Sequence, residues 1–174
     1  MKAITLWQPW ATLMAIGAKT IETRPRTAWW AKNHRGPLLI HAAKSWNWDV
    51  LEELNAANRR AAGDNDWRKM LDALLGAGYN TLRQLPCGAI LCSICVHSVG
   101  EIHGPAPEHG WTIELPDGAL IDVPEAERPF GDYREGRLGI VSSHVTRFAV
   151  PIPFRGSQGI FNVPDELVEE ALRG

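Results

Sequence analysis

Apolar residues along this 174-residue chain occur in two patterns, short runs and stretches with helical spacing. Short runs bounded by Gly, Pro or charged residues are typical of β-strands. Pro9 suits a first helical turn, because its missing N–H costs nothing there, and the apolar spacing after it predicts a helix over 9–16 that Gly17 ends. The short runs predict strands at residues 2–7, 19–24 (as a strand or the approach to one), 38–43, 88–102, 111–123 (as a hairpin), 138–150 and 159–163.

Two further helices are predicted between the third and the fourth of these strand regions. Ser45 is a suitable cap for the first helix, which Gly63 ends, and Asp64 begins the second. We expect the two helices to form an insertion at about 45–80 within a single domain of residues 1–174. The apolar stripes that identify them are Val50, Leu54, Ala57 and Ala61 in the first and Trp67, Met70, Leu71 and Leu74 in the second.

The order of the elements indicates the fold class. The predicted order is a strand, a short helix, two strands, a helical insertion and then several strands. This order is unlike a series of βαβ units. Residues 104–110 and 130–137 are predicted loops, and a last helix opens at Pro164. We therefore predict an α+β fold, a small mixed β-barrel with peripheral helices.

Charge is unevenly distributed along the chain. The formal net charge of −2 argues against a general polyanion binder. Residues 1–44, however, hold seven Lys or Arg and one acid, whereas residues 101–135 hold nine acids and two arginines. One end can therefore present a positive surface to an acidic ligand. The alternative is that folding scatters both blocks over the surface.

Several classes of protein are disfavoured by what the sequence lacks. Its apolar runs are too short to span a bilayer, and its first residues lack the apolar core and cleavage site of a signal peptide. We therefore expect a cytoplasmic protein that binds no membrane.

Cysteine and histidine spacing gives no support for a metal site. Cys92 and Cys95 form a C-x-x-C pair, but they lie in a predicted strand, where residues three apart point to opposite faces. The six histidines lack the spacings typical of metal ligands. We expect neither a metal ion nor another cofactor.

The segment LWQPWATLMAIGAKTIETR, residues 6–24, carries the most specific motif. Its QPWA start, followed by Gly17, Lys19, Glu22 and Arg24, resembles the ASCH family, named for the activating signal cointegrator homology domain. Residues 36–44, 86–90 and 155–161 resemble later parts of the family pattern. The resemblance implies a PUA-like β-barrel that binds RNA or DNA. It also allows catalysis, because some small ASCH proteins deacetylate acetylcytidine and another branch is a ribonuclease.

Lys19, Glu22 and Arg24 are the residues in this motif whose chemistry suits a binding site. In an extended segment Glu22 and Arg24 share a face, whereas Lys19 joins them only if the chain bends at the start of the strand. Arg24 can then bind a phosphate, Glu22 a base edge, and Lys19 can position its ammonium group. The alternative is a surface strand with an exposed Glu–Arg ion pair.

An enzymatic alternative uses the same residues. In the acetylcytidine enzymes of this family a threonine nucleophile follows the lysine by three positions, and here that position is Glu22. The catalytic candidates are therefore Lys19 and Glu22, the lysine polarising a carbonyl and the carboxylate taking a proton from water. A third possibility is a protein-interaction adaptor that uses the acidic residues 101–135.

Other candidates lie in loops and at strand ends. The Trp29-Trp30 pair lies among basic residues, a combination that can stack bases, although such indoles can also cover a barrel. His41 lies within an apolar strand, where a histidine is often a satisfied core group. The predicted ligand is RNA, single-stranded nucleic acid or a modified nucleoside. The predicted ligand-binding residues are Gln8, Trp10, Arg24, Trp29, His41, Lys44, Tyr133, Arg155 and Ser157.

Overall fold

The computed structural model describes residues 1–59, 66–106 and 110–173. Two 3₁₀ turns, Leu82–Gln84 and Glu125–Phe130, accompany the longer elements. Those elements are, in chain order, β1 (Lys2–Leu6), α1 (Trp10–Ala15), β2 (Ile21–Arg24), α2 (Trp29–Lys32), β3 (Gly36–Ala42), α3 (Trp48–Arg59), α4 (Asp66–Gly76), β4 (Ala89–Ala106), β5 (Gly110–Glu114), β6 (Leu120–Asp122), β7 (Leu138–Pro153), β8 (Ile160–Asn162) and α5 (Asp165–Arg173).

The eight strands form one mixed sheet. Its order is β2-β7-β4-β3-β1-β8, and β5 and β6 extend it from β4 as a hairpin. The β1–β3 pair is parallel and the other pairs are antiparallel. This sheet with its flanking helices confirms the predicted α+β fold. Within the described residues the backbone ladder runs from β2 to β8 without joining these two ends, so closure into a barrel stays a prediction.

Apolar residues on the sheet and on the insertion form separate clusters of the core. One cluster lies on the sheet and includes Ile4, Ile40 and Ile140. A second joins Leu13 of α1 to Leu54 of α3 and Leu74 of α4. The helical insertion therefore packs on the short helix that begins the sequence motif.

The start of the insertion differs from the prediction. Helix α3 begins at Trp48, and the Oδ1 of Asn47 accepts hydrogen bonds from the N–H groups of Asp49 (3.0 Å) and Val50 (3.4 Å). Asn47 rather than Ser45 is therefore the cap, which satisfies the first free N–H groups of the helix. The predicted stripe of Val50, Leu54 and Ala57 is buried. Ala61, Gly63 and Asp64 lie outside the described residues.

The structure also differs from the prediction elsewhere in the chain. Strand β2 begins at Ile21, so Lys19 precedes it. Strand β4 continues through the predicted loop as far as Ala106, which pairs with Gly110. The turn at Glu125–Phe130 was not predicted, because a single 3₁₀ turn leaves no periodic apolar pattern.

Candidate functional site

The chain bends sharply between α1 and β2. Gly17 adopts a φ of +75°, a conformation that costs glycine little, and the N–H of Lys19 donates to the carbonyl of Leu13 at 3.1 Å. Lys19 is completely buried, and its ammonium group donates to the carbonyl of Ile21. The bend that Lys19 needs in order to reach Glu22 is thus present.

A buried carboxylate from the second half of the chain holds this bend. The Oε1 of Glu127 accepts hydrogen bonds from the N–H groups of Thr20 and Ile21, each at 3.0 Å. Its Oε2 accepts one from the Thr20 hydroxyl at 2.9 Å. Glu127 belongs to the acidic segment 101–135, so one acid of that segment contributes to the site instead of to an outer surface.

Glu22 lies between the two cations of the motif. Its Oε2 is 3.6 Å from the Nζ of Lys19, and its Oε1 is 3.0 Å from the Nε of Arg24. The Nη2 of Arg24 also donates to the carbonyl of Thr5 in β1 at 3.0 Å, and its guanidinium carbon lies 6.0 Å from the centre of the Trp30 ring. Arg24 therefore links β2 to β1 across a part of the sheet where the two strands are not paired.

Burial changes the acid–base behaviour of this cluster. Desolvation of its ammonium group lowers the pKa of Lys19, and the carboxylates of Glu22 and Glu127 partly oppose the effect. A lysine in this state loses its proton more readily than one in water. Such groups are common at catalytic sites, although buried ion-pair networks shift pKa values too.

Two cavities adjoin the cluster. The smaller, of about 350 Å³, is lined by Lys19, Glu22, Thr23, Asn47 and Trp10, among others. The larger is an open cleft of about 1080 Å³ bounded by the loop at residues 154–159. Both share a wall made of Thr5, Trp7 and Arg24.

The two cavities differ in charge. The basic residues that line the large cleft are Arg24, Lys44 and Arg155, and among the described residues its lining includes no carboxylate. The small cavity combines cations with the carboxylates of Glu22 and Asp132. The positive surface expected at the Lys19 motif therefore lies mainly in the neighbouring cleft, since Lys19 itself is buried beside two carboxylates.

His41 forms part of the large cleft. Its Nε2 faces the carbonyl of Phe154 at 3.0 Å, so this nitrogen carries the hydrogen, and its Nδ1 lies 3.2 Å from the hydroxyl of Thr5. That hydroxyl also lies 3.0 Å from the carbonyl of Ser157, and its single hydrogen serves one acceptor at a time. Burial lowers the pKa of His41, with a smaller opposite effect from the Phe154 carbonyl.

The predicted ligand-binding residues thus occupy several environments. Arg24, His41, Lys44, Arg155 and Ser157 line the large cleft, and Trp10 and Arg24 line the small cavity. Trp29 begins α2, but its side chain is outside the described part of the structure.

Two predicted residues have structural partners instead of a place in either cavity lining. Gln8 is buried, its amide donates to the carbonyl of Pro86, and its Oε1 accepts the N–H of Thr12 at 3.2 Å. Tyr133 is buried, and its hydroxyl donates to Glu127 at 3.4 Å. Both side chains support the residues around the site.

Sequence reasoning missed two important contributors. Trp7 is 44% exposed and lines both cavities. Its place inside the LWQPW motif is the sequence feature that could have indicated this role. Glu127 gave no local signal, because its partners at residues 20 and 21 are more than a hundred positions away.

In the described part of the chain, no group of three or more His, Cys, Asp or Glu side chains is arranged to hold a metal ion.

Comparison with known proteins agrees with the motif. The sequence model of the ASCH domain family matches residues 4–115 of this chain. A crystal structure of a mutant ZmASCH protein from Zymomonas mobilis is similar, with a TM-score of 0.45 and 11% identity, over 99% of this chain and 94% of that one. No curated protein matches the sequence. None of the described helices combines the length and the apolar content needed to cross a membrane. By the match over residues 4–115, the chain belongs to the ASCH domain family.

Proposed function

We propose that this protein binds single-stranded RNA or its nucleotides, with a base in the small cavity and phosphates in the large cleft. The observation that carries the proposal is the shared wall at Arg24, which separates a cavity of mixed charge from a cleft whose charged lining residues, among those described, are all cations. Members of the ASCH domain family are broadly thought to bind RNA.

The size and chemistry of the small cavity suit a base. Its volume of about 350 Å³ is at the lower end of the range for small-ligand sites. Glu22 offers an acceptor for an exocyclic amino group, and Trp7 and Trp10 offer aromatic surface. A base held there would have its sugar and phosphate directed past Arg24.

The large cleft suits the backbone of the same ligand. Arg24, Lys44 and Arg155 can form charge-assisted hydrogen bonds with phosphate oxygens. Lys44 and Arg155 are exposed, so both are available to an entering anion. Binding should weaken as salt rises, because each neutralised phosphate releases counterions.

A salt titration of binding to a fluorescent RNA oligonucleotide tests this proposal. The double variant Lys44→Ser and Arg155→Ser should bind more weakly, and the slope of log affinity against log salt should become shallower by about 1.4, at about 0.7 per lost contact on a single strand. Arg83→Ser, which removes an exposed cation outside the cleft lining, is the matched control. Absence of binding at low salt, or an equal change in the control, would refute the proposal.

A second candidate, hydrolysis of an acylated nucleoside such as acetylcytidine, is favoured by the burial of Lys19 beside Glu22. The carboxylate of Glu22 would take a proton from a water molecule whose oxygen attacks the acyl carbon, while Lys19 polarises the carbonyl. The carbon–nitrogen bond then breaks, the nitrogen receives a proton, and the acid and the free nucleoside leave.

Incubation with acetylcytidine, followed by chromatography, tests this candidate. Glu22→Gln and Lys19→Met should each lower the rate at least about a hundredfold, with thermal unfolding checked for each variant. Glu125→Gln, at an exposed acid in the turn that also contains Glu127, should leave the rate unchanged. A wild-type protein without turnover rules the candidate out and leaves the binding proposal intact.

A further inference from the structure

The tryptophan that follows Asn47, a residue of the small cavity's lining, has no place in the core. Trp48 is 78% exposed, the most exposed of the large hydrophobic side chains in the described residues. It is the first residue of α3, whose buried stripe is Val50, Leu54 and Ala57. The nearby Trp46 packs against the cluster of the insertion, in which Trp48 takes no part. The packing of the helix therefore does not require this indole.

The position of Trp48 relates it to the proposed ligand. Residues 43–47 connect β3 to α3 and contribute to both cavity linings. Lys44 lines the large cleft, Asn47 lines the small cavity, and Trp48 follows Asn47 directly. Consecutive Cα atoms are about 3.8 Å apart, so the backbone of Trp48 lies next to a residue of the small cavity's lining, although Trp48 itself is in neither lining.

The size of the cleft is a second, independent observation. At about 1080 Å³, its volume is about three times that of the small cavity and slightly above the usual range for small-ligand sites. Its lining includes three cations, Arg24, Lys44 and Arg155. A cationic groove with exposed aromatic rings along it is the arrangement by which proteins hold successive nucleotides of a single strand.

We infer that the ligand is a strand of several nucleotides and that Trp48 stacks the base next to the one in the small cavity. The inference rests on the proposed function and adds to it that a free nucleotide fills only part of the site. Trp7, on the wall shared by the two cavities, contacts the nucleotide held inside. Trp48 contacts its neighbour and so contributes only when a strand is bound.

Calorimetric titration of the full chain separates these roles. The ligands are adenosine, cytidine and uridine 5′-monophosphates and the three corresponding RNA hexanucleotides. At least one hexanucleotide should bind about thirtyfold or more tighter than its monophosphate. Any of the six nucleotides of a hexanucleotide can enter the site, and this statistical advantage alone makes its binding only about sixfold tighter. Trp48→Ala should lower hexanucleotide affinity about 5- to 100-fold and leave monophosphate affinity unchanged.

Two further variants make the result specific. Trp48→Phe keeps an aromatic face and should restore most of the hexanucleotide affinity. Val150→Ala removes apolar surface at a residue that is 75% exposed and lies outside both cavity linings, and it should change neither affinity. Equal loss of both ligands in Trp48→Ala, or no loss of either, overturns the inference but not the proposed function. Failure of every ligand to bind the wild-type protein overturns both.

Discussion

Glu127 binds Thr20 through two different groups, the backbone N–H at 3.0 Å and the side-chain hydroxyl at 2.9 Å. These contacts join a turn that precedes β7 to the bend that precedes β2. They also place a buried negative charge close enough to Lys19 to oppose the lowering of its pKa. The acidic second half of the chain thus determines the geometry of a motif in the basic first half.

Replacement of Glu127 should therefore destabilise the fold. Glu127→Ala leaves the N–H groups of Thr20 and Ile21 without their acceptor in a buried place, and we expect the free energy of unfolding to fall by about 3 kcal/mol. Glu125→Ala, at an exposed acid of the same turn, should change it by no more than about 0.5 kcal/mol. Urea denaturation measures both. Similar values for the two variants would contradict the role given to Glu127.

His41 should make the stability of the protein depend on pH in the acidic range. Burial lowers its pKa below 6.5, the ordinary value that it regains on unfolding, so the unfolded chain binds a proton that the folded protein does not. The contribution of neutral His41 is therefore complete above pH 6.5 and decreases as pH falls from 6.5 towards the folded-state pKa. His41→Gln can keep a donor for the Phe154 carbonyl and an acceptor for Thr5.

Urea denaturation between pH 7.5 and pH 5 checks this expectation. The stability of the wild-type protein should decrease more steeply with falling pH than that of His41→Gln. The same replacement at the exposed His97 controls for the loss of a histidine as such. Parallel curves for the wild type and His41→Gln would show that burial of this ring has no effect on its proton affinity.

Gly156 should tolerate no larger side chain. A Cβ atom there would lie 2.4 Å from the Cε1 of His41 and 2.7 Å from the hydroxyl oxygen of Thr5. We expect Gly156→Ala to lower the free energy of unfolding by about 1–3 kcal/mol, because the floor of the cleft must shift. Gly76→Ala, at the end of α4 with open space around it, should be neutral or stabilising by up to about 1 kcal/mol. Thermal unfolding that ranks the two variants alike would count against this close packing.

Cys87 offers a chemical probe of the cleft. It is exposed and lines the cleft, and partial burial of its thiol raises the pKa. We therefore expect slow alkylation by iodoacetamide at pH 8, with a further slowing of about tenfold when an RNA hexanucleotide covers the cleft. Cys92 is buried, which raises the pKa of its thiol to about 12, and it should react only after unfolding. Mass spectrometry of the alkylated peptides measures both rates. Unchanged labelling of Cys87 at saturating RNA would place the ligand elsewhere.

The strands were predictable because each leaves an uninterrupted local signal. The apolar run of β3 and the Pro116-Asp117-Gly118 turn of the β5–β6 hairpin needed no information from distant residues. The start of α3 was predicted wrongly, because Ser45 and Asn47 are both good caps within three positions and the local sequence does not distinguish between them.

The site was less predictable than the fold, because its contacts join distant residues. Lys19, Glu22 and Arg24 were found through the resemblance of their motif, whereas their charge alone predicted an exposed strand. The burial of Lys19 depends on the bend held by Glu127, and the shared wall depends on the bond from Arg24 to Thr5. Neither the burial of Lys19 nor the bond from Arg24 to Thr5 can be predicted from the spacing of residues within the motif.

The order of strands in the sheet limits how this protein can be divided. The family's sequence signal ends at residue 115, but β7, which begins at Leu138, lies between β2 and β4. A fragment that stops at residue 115 would separate β2 from the rest of the sheet and remove Glu127 along with Gly156. The recognisable part of the sequence and the smallest stable part of the protein therefore have different lengths, and dissection by truncation must keep both ends of the sheet.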